Sequence, residues 1–200
     1  YYYRGLLFQN YLKNNESAEK DYFKALELNS NDSKVYIQLG LLYQYKKSKK
    51  TLEYFKKAIE IDPETRNNYY PLINYYILLE DFDNAINLIN KTIESDEKDA
   101  DGYYKLFIIY LKQKEYLNAF LELTKAIEKK SEFEDYYILD FDGTTRIELA
   151  DLYFKRAELS KILNSQKLMC ADYNRALLEI TEEDGDKMKE IEGLILENCN

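Results

Sequence analysis

Two short patterns recur in order along this chain, and recurrence at a fixed spacing limits the fold more than composition can. YYYRGLLF at 1–8 aligns with YIQLGLLY at 36–43, YYPLINYY at 69–76, YYKLFIIY at 103–110 and YFKRAELS at 153–160. A second block follows each: AEKDYFKALELNS at 18–30, TLEYFKKAIEIDP at 51–63, AINLINKTIESDE at 85–97, AFLELTKAIEKKS at 119–131 and MCADYNRALLEIT at 169–181. Five paired copies at a spacing of about 34 residues imply stacked units, each unable to bury its apolar side alone.

Inside the blocks the apolar residues keep a helical period. Leu39, Leu42 and Tyr43, then Leu52, Phe55, Ala58 and Ile59, fall three and four apart, one face of an α-helix. Links such as KKSK and LEDF are short, so the two helices of a copy must run antiparallel. Asp62-Pro63 ends one copy, because the residue before proline is driven out of the α region. Pro71 falls in an opening turn, which tolerates it. Small residues at Gly5, Ala18, Gly40, Ala85, Ala119 and Ala157 permit close crossing, and Tyr36, Tyr43, Phe55, Tyr103 and Tyr110 fill the space beside them. Six glycines and two prolines in 200 residues agree with an all-α fold.

The remaining totals exclude more than they assert. A net charge of −9 lacks the cationic footprint that phosphate backbones require, so no nucleic acid is expected. The basic run KKSKK at 46–50 reads as a solvated turn, with contact to an acidic partner as the alternative. Histidine is absent, which removes the commonest general base and metal ligand. Two cysteines cannot build a four-thiolate zinc site. No run of about 18 apolar residues occurs, so no membrane insertion is expected. With neither a signal-peptide pattern nor an initiator Met, the chain reads as a processed or excised piece, cytoplasmic or exported.

The repeat resembles the tetratricopeptide repeat (TPR), whose pattern has a large residue at position 4, Leu at 7, small at 8, aromatic at 11, small at 20, aromatic at 24, Ala at 27 and often Pro at 32. The second copy supplies Tyr36, Leu39, Gly40, Tyr43, Thr51, Phe55, Ala58 and Pro63; the fourth supplies Tyr103, Leu106, Phe107, Tyr110, Ala119, Leu123, Ala126 and Ser131. The first copy has one linker residue too many and the second one too few. The resemblance implies a right-handed superhelical α-solenoid of five antiparallel helix pairs, a single array over 1–200. Its copies cover about 1–33, 34–65, 66–99, 100–133 and 150–183, with an insertion at 134–149. Met188, Ile191, Leu194 and Ile195 share a face of a closing helix at about 185–199, suited to cover the last open side.

In the resembled family the first helix of each pair lines a concave face that binds proteins or extended peptides. Position by position, this implies Tyr2, Tyr3, Gln9 and Asn10; Lys34, Ile37, Gln38, Leu41 and Tyr45; Tyr70, Asn74 and Ile77; Tyr104, Lys105, Ile108 and Lys112; and Phe154, Lys155, Glu158 and Lys161. The Lys and Asn set with which some members clamp a terminal carboxylate is not reproduced. Tyrosine offers a rigid contact area with one polar handle, which suits an extended peptide. Two alternatives compete: a mainly structural or self-associating array, and a groove filled by the chain's own insertion.

The insertion contains DFDGT at 140–144, which is similar to the opening motif of haloacid-dehalogenase-type phosphohydrolases. Those need a central parallel sheet, and the residues after Thr145 are claimed by helices. The structural account is sufficient: Asp142-Gly143 makes a turn, Thr145 and Glu148 form a capping box, and Ile138, Leu139 and Phe141 pack on a helix. EEDGD at 182–186 reads as a turn before the closing helix. The expectation is therefore a non-catalytic scaffold with no metal and no cofactor. Cys170 and Cys199 match cysteines that bacterial arrays of this kind carry in their last two helices, followed here by DYxxAL. Packed thiols are the expectation for that pair, and a disulfide is the alternative.

Overall fold

A computed structural model describes residues 1–132, 138–139, 146–180 and 184–199. The chain divides into two compact units, Tyr1–Leu88 and Ile89–Asn200. In order, the helices are α1 (Tyr2–Asn10), α2 (Asn15–Leu28), α3 (Ser33–Tyr45), α4 (Lys50–Ile61), α5 (Tyr70–Leu78) and α6 (Phe82–Ser95), within which the boundary falls. The second unit continues with α7 (Ala100–Lys112), α8 (Tyr116–Glu132), α9 (Leu149–Ile162), α10 (Gln166–Glu179) and α11 (Gly185–Asn198). A 3-10 turn, Arg66–Asn68, precedes α5. No helix among the described residues is long and apolar enough to cross a membrane.

Short polar side chains start many of these helices. Asn14 Oδ1 accepts from the Ser17 amide at 3.0 Å, Asp32 Oδ1 from Lys34 at 3.1 Å and Asp99 Oδ1 from Gly102 at 3.0 Å. Each satisfies an amide that the helix cannot pair itself.

The stop between first and second helices is equally regular. Lys13, Lys47, Glu80, Lys114 and Asn164 all have positive φ, between 51° and 62°, one per copy. In four of them the next amide reaches back to the tyrosine or serine at position 11. The bonds are Ser48 N–H to Tyr43 O at 2.9 Å, Asp81 to Tyr76 at 2.9 Å, Glu115 to Tyr110 at 2.9 Å and Ser165 to Ser160 at 2.8 Å. This is the left-handed helix stop that usually takes glycine. The first copy, with its extra linker residue, reaches one place further: Asn14 N–H to Phe8 O at 2.8 Å.

Packing within a hairpin follows the small-against-aromatic rule. A Cβ on Gly40 would sit 2.3 Å from Phe55 Cε1, and one on Gly5 would sit 2.6 Å from Tyr22 Cε1. Both rings are fully buried. Gly40→Ala gains about 1 kcal/mol of helix propensity, but overpacking a filled core costs about 1–3 kcal/mol. The second effect is expected to win, lowering the urea midpoint; an unchanged or raised midpoint would show that the Phe55 ring can yield.

The sequence reading missed a substitution at position 7. Copies two to four place Leu39, Leu72 and Leu106 there, whereas the first and fifth place Arg4 and Arg156. Each arginine meets an aspartate of the paired helix through two bonds. Arg4 Nε and Nη2 donate to Asp21 at 2.7 and 2.6 Å; Arg156 Nε and Nη2 donate to Asp172 at 2.8 and 2.7 Å. The hydrogen bonds from Arg4 hold the Asp21 carboxyl below its usual pKa. The signal was visible as matching Arg-small and Asp-Tyr pairs in the two terminal copies.

Two features of the second unit depart from expectation. Ile138–Leu139 (β1) and Arg146–Ile147 (β2) pair antiparallel, with Ile138 opposite Ile147 and Leu139 opposite Arg146. Because Arg146–Ile147 is extended, a capping box from Thr145 to Glu148 does not open α9. The helix starts one turn later, and the Glu148 amide donates to Asp151 Oδ2 at 3.1 Å. Thr145 itself lies outside the described residues.

The cysteines correct the packed-thiol expectation. Cys170 and Cys199 form a disulfide, with Cα atoms 5.6 Å apart, a separation that suits the bond. It ties α11 to α10, where Ile191, Leu194 and Ile195 already pack on Met169, Tyr173 and Ala176. Oxidation state is a property of the compartment, so residue spacing alone could not decide it.

Candidate binding face

In the first unit, the first-helix residues singled out by position form a graded surface. Tyr3 is 82% exposed and Tyr45 77% exposed. Leu41 is exposed, and Tyr2, Lys34, Ile37, Gln38, Tyr70 and Asn74 are accessible to smaller or greater degree. The Tyr2 and Tyr3 rings meet edge-on with centroids 5.2 Å apart. Asn74 Oδ1 is buried and accepts no hydrogen bond from the described residues. Gln9 is already engaged: its Oε1 accepts from the Tyr22 hydroxyl at 2.7 Å. Ile77 is fully buried in the core.

The second unit repeats the Gln9 arrangement with an acid. The Tyr173 hydroxyl donates to Glu158 Oε1, so Glu158 orients a core tyrosine rather than standing open. Burial, and for Tyr173 the adjoining Glu158 carboxylate, push the Tyr22 and Tyr173 phenols above their usual pKa. Phe154 is half-buried with its ring 5.8 Å from that of Tyr173, and Ile108 and Lys155 are half-buried.

Tyr104 and Lys105 are different. They are 4% and 2% exposed, so they offer a partner almost nothing in this structure. Lys105 Nζ lies 3.7 Å from Asp101 Oδ1 and 6.0 Å from the Tyr104 ring centroid. Positional transfer from a repeat pattern assumes an uncovered first-helix face, and here that face is covered.

No family model matches the sequence. No curated protein matches it either. Solved structures do match. A crystal structure of MamA superposes with a TM-score of 0.67 at 21% identity, covering 92% of this chain and 96% of that one. TTC0263, a thermophilic TPR protein of Thermus thermophilus, gives 0.61 at 16% identity, covering 98% and 97%. YrrB, a TPR protein with an unusual peptide-binding site, gives 0.60 at 17% identity, covering 94% and 88%. The chain has the tetratricopeptide-repeat fold. Its TPR hairpins account for the five left-handed turns and for the glycine–aromatic contacts at Gly5 and Gly40.

The other candidates stand apart from this TPR framework. Asp140, Asp142 and Gly143 of the DFDGT motif lie outside the described residues, as do Phe141 and the acidic pair Glu182–Glu183. Among the described residues, no group of three or more His, Cys, Asp or Glu is placed to hold a metal ion.

Proposed function

We propose that this protein is a non-catalytic scaffold that binds a protein or an extended peptide on the first-helix faces of the hairpins of its first unit. One observation carries the reading: in the first unit those faces present Tyr3, Leu41 and Tyr45 to solvent. Exposed tyrosines supply large, rigid contact area. The peptide-binding site of YrrB, which has the same fold, agrees with this use.

The test is capture from a lysate of the source organism, comparing wild type with Tyr3→Ala/Tyr45→Ala. Loss of two aromatic anchors is expected to weaken a true partner by about tenfold or more while leaving the helical circular-dichroism signal intact. Undiminished capture would place the contact elsewhere. Self-association is a second reading, favoured by α1 and the residue that caps it, where Tyr3, Leu7 and Tyr11 lie four apart and all are exposed. Light scattering over a concentration series separates the two.

A further inference from the structure

The burial of α7 needs a cause. In α3 the buried residues are Val35, Leu39, Gly40 and Leu42, a single stripe. In α7 they are Ala100, Asp101, Gly102, Tyr104, Lys105, Leu106, Phe107 and Ile109. That set surrounds the helix, since consecutive residues step about 100° around the axis. The stripe shared with the other hairpins is accounted for by helix packing. The additional residues are Ala100, Asp101, Tyr104 and Lys105, and the positions of Tyr104 and Lys105 stay at least partly exposed as Tyr2 and Tyr3, as Ile37 and Gln38, and as Phe154 and Lys155.

The short β1–β2 ladder lies over Tyr104. Strand β1 lies against α7, and Ile138 is 0% exposed within one apolar cluster that includes Tyr104, Phe107 and Leu152. Ile147, its partner across the ladder, is half-buried against the same cluster. Pairing with β2 keeps β1 extended, the backbone form in which a peptide lies along a groove. Lys130 of α8 is also buried, 3.8 Å from Glu148 at the insertion's end.

We infer that the β1–β2 ladder is a built-in occupant of the fourth hairpin's inner face, holding with Ile138 and Ile147 the surface that an external peptide would otherwise take. This rests on the scaffold reading for what the surface does, but not for the occupancy itself. The occupant also describes its competitor. A partner able to displace the segment would be an extended peptide with an aliphatic anchor in the place of Ile138, which is 0% exposed within the cluster that includes Tyr104.

Acylation of the full chain by an N-hydroxysuccinimide ester, read residue by residue by mass spectrometry, tests this without a known partner. In wild type, Lys105 is expected to react at least about tenfold more slowly than exposed Lys49, because it must wait for local opening. Ile138→Asp is expected to raise the Lys105 rate severalfold, and a synthetic peptide spanning 134–147, added in trans, to restore protection and bind that variant but not wild type. Ile138→Ala provides the same comparison if the aspartate variant loses its helical signal. Equal labelling of Lys105 and Lys49 in wild type would overturn the inference. So would a disengaged variant whose Lys105 stays protected, or one that the peptide neither binds nor protects. None of these outcomes touches Tyr3 or Tyr45, so the scaffold reading stands or falls separately.

Discussion

Asp172→Ala is expected to destabilise the protein by about 3 kcal/mol, the lower end of what removing one partner of a buried ion pair costs. The Arg156 side chain is 17% exposed and Asp172 less so. Deleting the carboxylate leaves the guanidinium among apolar neighbours with one hydroxyl, Thr124 Oγ1 at 3.3 Å. The rings of Tyr153 and Phe120, 5.5 and 5.8 Å from Arg156 Cζ, recover part of the loss through their π-faces. The informative comparison is the double variant Arg156→Leu/Asp172→Leu. Leucine is what three of the five copies already carry at position 7, and replacing a buried pair by apolar side chains is often neutral or stabilising. Urea unfolding should therefore show a large loss in the single variant and recovery in the double. A single variant losing under about 1 kcal/mol would show that the pair behaves as an exposed one.

Reduction of the Cys170–Cys199 bond is expected to cost about 3–4 kcal/mol, from the loop entropy of its 29-residue separation. Ile191 is the one residue of α11 that is fully buried, and Leu194 and Ile195 are only partly buried against the same cluster, so the disulfide is a large share of what holds the helix. Loss should begin there. Hydrogen exchange with and without reductant should show α11 amides losing protection before those of α9, and the non-reduced protein should be two hydrogens lighter than the reduced one. Equal masses, or unchanged exchange in α11, would contradict a stabilising disulfide.

Much of this architecture was legible because several signals coincided. The repeated blocks carried helical period, and glycine at 5 and 40 faced aromatic residues at 22 and 55 across each hairpin. What stayed hidden had local causes. The apolar run Tyr136-Tyr137-Ile138-Leu139 has no period to distinguish strand from helix. Thr145 and Glu148 match a capping box one turn early, while Glu148 and Asp151 provide the start that is used. The covering of Tyr104 and Lys105 joins residues more than 30 positions apart, which a pattern confined to single helices cannot express. Arg4–Asp21 and Arg156–Asp172 were readable in principle, as paired changes at fixed positions.

The left-handed turns have an engineering consequence. Lys13, Lys47, Glu80 and Lys114 each hold a side chain where the Cβ crowds the backbone, a penalty of up to about 1–2 kcal/mol that glycine avoids, less what its floppier unfolded chain loses. Such gains should add nearly independently, since the sites are a whole hairpin apart. The exposed first-helix faces could thus be redesigned, even at some thermodynamic loss, with compensation drawn from the bends between helices.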